Sequence, residues 1–376
     1  MFKHSLENRI NNAKLYRQVV SEELIKNKEI CIICELEDIE SAGKFIKENF
    51  NRDADYYSIS NVDKLSANLD LIRKSFDIKI IFLEELAIRK DLAIVAYKNY
   101  RRYGIRLALN GIFYLTFDEE PKYSNYRCSS DFFDNYKDEL NRVYNLLEDE
   151  DSKETLASVI KHRTTFNCGY LKIADYPEYM HPAVKADFND VVVDGGGFDG
   201  KTSIQFAEQV GSSGKVYCFE PGSQNYDKII SRLKNPDAPF ENIVKPVKFG
   251  LWNKQEKLNF SSNLGGSSAL IFEENPNIDM EIISLTDLDS FVEENNITKI
   301  GLISLDIEGA EIEALEGAKN TIQKFKPKLQ ISIYHKADDL FKIPLWIDAL
   351  NLNYKFYLGH HNTYSTETDL YAIIQN

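Results

Sequence analysis

Residues 191–203 read Val-Val-Val-Asp-Gly-Gly-Gly-Phe-Asp-Gly-Lys-Thr-Ser, a β-branched apolar run that enters an acid, a glycine-rich turn and the start of a helix. Strand, glycine loop and helix in this order form the opening unit of a doubly wound α/β sheet, whose ligands sit at the carboxyl ends of parallel strands. Spacing alone leaves the ligand open. Gly195, Gly197 and Gly200 satisfy the G-x-G-x-x-G of a dinucleotide turn. Residues 195–202 equally satisfy the G-x-x-x-x-G-K-[ST] of a phosphate loop.

Charge separates these readings from a third. Asp194 and Asp199 bracket the loop, whereas a di- or triphosphate wants the positive potential of loop amides and a helix N-terminus. S-adenosylmethionine carries an ammonium and a sulfonium against one carboxylate, so it tolerates acids around its methionine end. Twenty residues after Gly200, the apolar run 215–219 ends in Glu220. A carboxylate there accepts hydrogen bonds from vicinal ribose hydroxyls, in this cofactor or in NAD. The expected cofactor-binding set is Asp194, Gly195, Gly196, Gly197, Phe198, Thr202, Glu220 and Pro221, with Gly250 and Leu251 after the third strand of the same unit.

A chain of 376 residues exceeds what one core usually holds, so two domains are expected. The excess of 59 acidic over 45 basic residues, a formal charge of −14, argues against a coat for nucleic acid or anionic lipid and favours a small-molecule partner. The opening segment has no apolar signal core and no run reaches the length of a membrane span, so the expected address is cytoplasmic. Five cysteines fit no disulfide framework, and Cys31 and Cys34 lie in a β-like apolar run where they read as core residues.

The chain divides into three parts. Residues 1–120 read as a small α/β domain for dimerisation or substrate docking, which would make the protein a homo-oligomer through that unit. Its strands are expected at 29–34, 56–59, 78–83 and 112–116, with helices at 39–50 and 86–102. Residues 121–180 form a helical connector with helices over 129–147 and 152–162. From 181 to 376 strands and helices alternate, and strands at 191–194, 216–220, 243–249, 300–306, 329–334, 354–358 and 370–374 predict a seven-stranded, Rossmann-like doubly wound sheet. The Ser261–Ser268 stretch, rich in serine, asparagine and glycine, is expected as a loop, and its Gly265–Ser268 end reads equally as a cover over a bound ligand or as plain turn chemistry.

A second chemical site lies at 305–311, Leu-Asp-Ile-Glu-Gly-Ala-Glu, which clusters three carboxylates at the carboxyl end of the expected fourth strand. Clustered acids are costly unless they meet a cation, a metal or donor hydroxyls. Together with 194–200, with Cys218-Phe219-Glu220-Pro221, with 315–318 and with Lys326–Lys336, this segment resembles the FkbM-like S-adenosylmethionine-dependent methyltransferases, over roughly Tyr170 to Ile374. The resemblance implies the class I methyltransferase fold and methyl transfer to hydroxyls of sugars, glycans or secondary metabolites. Two positions depart from that family: Ser304 stands where many relatives have lysine, and Gly359 where many have arginine.

Methyl transfer to an alcohol needs an in-line approach and a group to take the proton. Asp306 and His335, at the ends of the fourth and fifth strands, are the expected catalytic pair, with His335 as the base and His360 and His361 as weaker candidates. Oxygen ligands around Asp306 would suit a divalent metal such as Mg²⁺, though no spacing demands one. The reading is an S-adenosylmethionine-dependent O-methyltransferase; a P-loop nucleotidase, an NAD-dependent reductase and a noncatalytic cofactor-binding scaffold are its alternatives.

Overall fold

A computed structural model describes residues 5–14, 16, 28–34, 39–59, 92–97, 114–117, 132–165, 168–234, 240–264, 267–270, 281–362 and 365–374. The chain separates into two compact units: residues 1–136, 154–173 and 362–365, and residues 137–153, 174–361 and 366–376.

In the first unit, β1 (Glu29–Cys34), β2 (Tyr56–Ile59), β3 (Leu92–Tyr97) and β4 (Tyr114–Phe117) form a parallel sheet in the order β2-β1-β3-β4. β1 is buried from Ile30 to Cys34, so Cys31 and Cys34 are core residues. β3 corrects an expectation, since it lies inside the stretch 86–102 read as helix. Its run Leu-Ala-Ile-Val-Ala-Tyr pairs with β1 on one side and β4 on the other. A short apolar run of that kind has no period to separate buried strand from buried helix. The strand expected at 78–83 lies outside the described residues.

The second unit holds a seven-stranded sheet in the order β14-β15-β13-β12-β5-β6-β7. These are β5 (Val191–Gly195), β6 (Lys215–Phe219), β7 (Val244–Val247), β12 (Leu302–Leu305), β13 (Lys328–Ser332), β14 (Tyr354–His360) and β15 (Thr368–Ile374). All seven match the expected strands, and β15 alone runs antiparallel to both its neighbours. β5 and β12 are nearly continuous buried apolar runs, and β13 is buried from Leu329 to Ser332, as central strands covered on both faces must be. The helix Lys201–Val210 buries Ser203, Phe206, Ala207 and Val210, spaced to share one face, and stops at Gly211. Burying Phe206 and Val210 is worth roughly 1.5–3 kcal/mol each.

Four strands had no counterpart in the sequence reading. β8 (Gly250–Leu251), β9 (Glu256–Leu264), β10 (Ser267–Leu270) and β11 (Glu281–Thr286) form a separate sheet in the order β10-β9-β11-β8. The Ser261–Ser268 stretch expected as a loop therefore belongs mostly to the antiparallel β9/β10 pair. Its Ser and Asn composition reads as turn chemistry, but cross-strand pairing overrides weak intrinsic propensity. On β11, Ile283 and Leu285 are buried with Trp252 and Ala310, which fixes this small sheet against the loop that follows β12. Among the described residues no helix is long and apolar enough to cross a membrane.

Candidate functional site

The order of the large sheet reverses between β5 and β12, since the chain moves from β5 outward through β6 and β7 and later returns to β12 on the other side. In an open α/β sheet that reversal leaves a crevice at the carboxyl ends of the strands. A cavity of about 340 Å³ lies there, within the range for small-molecule sites. Asp194, Gly196, Phe198, Thr202, Glu220, Pro221, Gly250, Leu251 and Asp306, all expected from the sequence, line it.

The glycine loop explains its own composition. Gly196 has φ +94°, and a Cβ there would sit 1.9 Å from the Asp306 carbonyl oxygen, so only glycine lets the loop close against the end of β12. Gly195 and Gly197 do not line the cavity. A Cβ on Gly195 would meet Leu305 at 2.8 Å and one on Gly197 would meet Cys218 Sγ at 2.3 Å, so both serve close packing.

The loop amides are already engaged. Gly196 and Gly197 donate to the Phe219 carbonyl at 3.1 and 2.9 Å, Gly200 donates to Gly197 at 2.7 Å, and Phe198 donates to Glu220 Oε2 at 3.0 Å. Lys201 is paired with Asp199 at 2.8 Å, with its side chain 74% exposed. A phosphate loop needs those amides and that lysine turned inward, which sets the P-loop alternative aside. Asp199, the second acid of the loop, pairs with Lys201 and Arg232 and does not line the cavity.

Glu220 accepts from the backbone N–H of Gly222 at 2.8 Å as well as from Phe198. Burial pushes its carboxyl up to about 7 against the opposing effect of those hydrogen bonds. Asp194, fully buried, is likewise pushed up to about 7 by desolvation, with the Ser203 hydroxyl bond opposing and the charge of Asp306 adding. Beyond Glu220 the wall is apolar, formed by Pro221, Leu251, Ile283 and Leu285.

The opposite end is acidic. Asp306 accepts from Tyr179 Oη on Oδ2 and from Tyr334 Oη on Oδ1, each at 3.1 Å. Both phenols are held well above their ordinary range by burial, with Asp306 the leading charge, so both remain donors. Glu178, Glu308 and Glu367 line the same end. Carboxylate oxygens of Glu178, Asp306 and Glu367 all lie within 4.8 Å of one another. Desolvation pushes Glu178 up to about 7 and Glu367 up to about 10, and a hydrogen bond joins the two, so this pair shares a proton. Oxygens this close suit a divalent metal in principle, yet a shared proton accounts for their approach without one.

His335 does not line the cavity. Its ring is 95% buried, with Nδ1 2.9 Å from Glu311 Oε1 and Nε2 3.5 Å from Asp306 Oδ1 and 3.4 Å from Glu308 Oε2. Burial pushes the imidazole down, but the Glu311, Asp306 and Glu308 charges overcome it and raise the ring to about 10. Glu311 is held low in return by His335 despite its own burial. His360 is bonded to Thr368 and His361 to Tyr371, His361 is pushed down to about 4 by burial, and neither reaches the cavity.

The sequence reading missed Glu178, Glu367, Ile283 and Leu285. Glu178 follows Pro177 in an irregular segment and Glu367 precedes β15, so neither carries a local signature. Leu285 and Ile283 were legible only as alternation along Glu281–Thr286.

This arrangement of strand order, engaged glycine loop and acid-ended strands agrees with the family comparison. Residues 193–356 match the family model described as the methyltransferase FkbM domain. In fold the chain is similar to a methyltransferase FkbM from Methylobacillus flagellatus KT, at a TM-score of 0.63 and 17% identity over 98% of each chain. An O-methyltransferase from Bacillus cereus in complex with SAH is similar over 50% of this chain and 74% of its own, at 12% identity and a TM-score of 0.34, too slight a likeness to bear on this site. A comparison with curated proteins finds no match. The matched segment contains β5 from Val193, the glycine loop, Glu220, Asp306 and His335, and ends at Phe356 inside β14.

Proposed function

We propose that the chain is an S-adenosylmethionine-dependent O-methyltransferase that acts on a hydroxyl of a sugar, glycan or secondary-metabolite acceptor. The observation that carries this reading is a cavity with an apolar wall beside Glu220 and a carboxylate-lined end around Asp306. The residues fit the cofactor. After accepting two backbone N–H groups and the Asn225 side chain, the Glu220 carboxylate keeps one lone pair for a ribose hydroxyl. Pro221, Leu251, Ile283 and Leu285 offer the apolar surface a purine buries against. When bound, the cofactor supplies an electrophilic methyl carbon.

Asp306 is the group placed to take the acceptor's proton. Two tyrosine donors fix its carboxylate, and each oxygen keeps a lone pair. His335, expected as the base, is held as an imidazolium and has no lone pair to offer. It serves instead as a positioning residue, a buried cation that Glu311 orients toward Asp306 and Glu308.

Parallel calorimetric titrations with S-adenosylhomocysteine, NAD and ATP test the reading. Binding of S-adenosylhomocysteine alone is expected; binding of ATP or NAD without it would overturn the proposal.

A further inference from the structure

The cavity's two ends differ in what they ask of a second ligand. Six acidic side chains line it, and among the described residues no lysine or arginine does. Four of the six, Glu178, Asp306, Glu308 and Glu367, stand at the end away from Glu220, three of them with oxygens within 4.8 Å of one another. Glu178 Oε1 is buried and has no hydrogen-bond partner, which adds to the cost of charge at this end.

Charge at this end is far from balanced. Burial raises both Glu178 and Glu367, so this pair holds on to a proton, and the Asp306 and Glu308 carboxyls stand beside it. His335 is the cation behind them, but the buried Glu311 at 2.9 Å offsets it. S-adenosylmethionine brings one net positive charge. Carboxyl groups still outnumber cations beside the acceptor, in a crevice whose closure would strip water from them. A neutral polyol would leave them uncompensated, and an anion would meet them as like charges.

We propose that the acceptor is a cationic, amine-bearing polyol, such as an amino sugar, whose ammonium group docks against Glu178, Glu308 and Glu367 while a hydroxyl faces Asp306. This rests on the methyl-transfer reading, and it excludes phosphorylated sugars and uronates as acceptors. Atoms balance: the acceptor oxygen gains the methyl group, its proton goes to Asp306, and the cofactor leaves as the neutral thioether.

Saturation-transfer and calorimetric titrations of the full chain, saturated with S-adenosylhomocysteine, test this with three probes that share a ring and differ at one substituent: glucosamine, glucose and glucuronic acid. Glucosamine should bind at least tenfold more tightly than glucose, glucuronic acid should not bind, and added salt should erode the amine's advantage. Glu308→Gln, at a side chain only 34% exposed, should cut the amine-to-glucose ratio several-fold. A chain that takes S-adenosylhomocysteine but binds glucose or glucuronic acid as well as glucosamine, or does not bind glucosamine, overturns this inference and leaves methyl transfer standing. Failure to take S-adenosylhomocysteine overturns both.

Discussion

Cofactor affinity should rise with pH, and Glu220 should be the reason. Its carboxyl is pushed up from 4.5 to about 7 by burial. Ribose hydroxyls donate better to the ionised form, so binding draws the group toward ionisation. With a value of about 7, roughly one molecule in eleven is ionised at pH 6 and ten in eleven at pH 8, which predicts about a tenfold gain in affinity, ~1.4 kcal/mol, across that window. Calorimetric titration with S-adenosylhomocysteine at half-unit pH steps measures it. Glu220→Gln removes the ionisation and also turns an amide N–H₂ toward the Phe198 or Gly222 N–H, which now faces a donor. The variant should bind ~1–3 kcal/mol more weakly at pH 8 and show a pH slope reduced by about one decade. If the variant keeps the wild-type slope, or wild-type affinity falls as pH rises, Glu220 is not the ribose partner.

The remaining predictions follow from the same packing. Without ligand, the protein should be less stable at pH 8 than at pH 6: Glu178, Asp194, Glu220 and Asp339 are all raised to about 7 in the fold, so the stability they add is complete below their ordinary values of 3.8 to 4.5 and is lost as pH climbs through 7. Urea unfolding midpoints that rise over this window would refute it. Gly196→Ala should cost ~2–5 kcal/mol, because it adds left-handed strain to a clash with the Asp306 carbonyl, and an unchanged urea midpoint would contradict the close approach. The His335 ring nitrogens should keep imidazolium shifts in ¹⁵N spectra through pH 8, and Glu311→Gln should bring the ring's titration down; a neutral ring at pH 7 in the wild type would restore it as a base.

The parts of the site that were legible in the sequence are those carried by one strand and the residues after it. Asp194, Glu220 and Asp306 each end an apolar run, and a strand end in a doubly wound sheet is a place with a known neighbourhood. Glu178 and Glu367 belong to irregular segments that come beside Asp306 only when β12, β13 and β15 pair. No window of sequence contains that proximity. The role of His335 was out of reach of the sequence for a related reason. Its position at the end of β13 was legible, but its protonation depends on Glu311, Asp306 and Glu308 converging from the segment after β12.

The two departures from FkbM-like relatives gain a physical meaning from the register. Ser304 pairs with Asp194 on one side and Gln330 on the other, so the three share a face of the sheet. A lysine at 304 would lie beside the Asp194 carboxylate; here that carboxylate takes its hydrogen bond from Ser203 and is pushed up to about 7 by desolvation. At Gly359 a Cβ would come within 2.6 Å of His361 Nε2 and 2.7 Å of Tyr176 Oη, so the aromatic and histidine cluster occupies the space an arginine stem would need. The one position lacks the cation and the other has no room for it. Acids that a fixed lysine or arginine would neutralise are left either to hold protons, as Asp194, Glu178 and Glu367 do, or to meet a cation that arrives with the ligand. A sulfonium cofactor and an ammonium-bearing acceptor are ligands of that kind, so the same residue changes that weaken a transfer of substrate from relatives favour the acceptor chemistry inferred from the cavity wall.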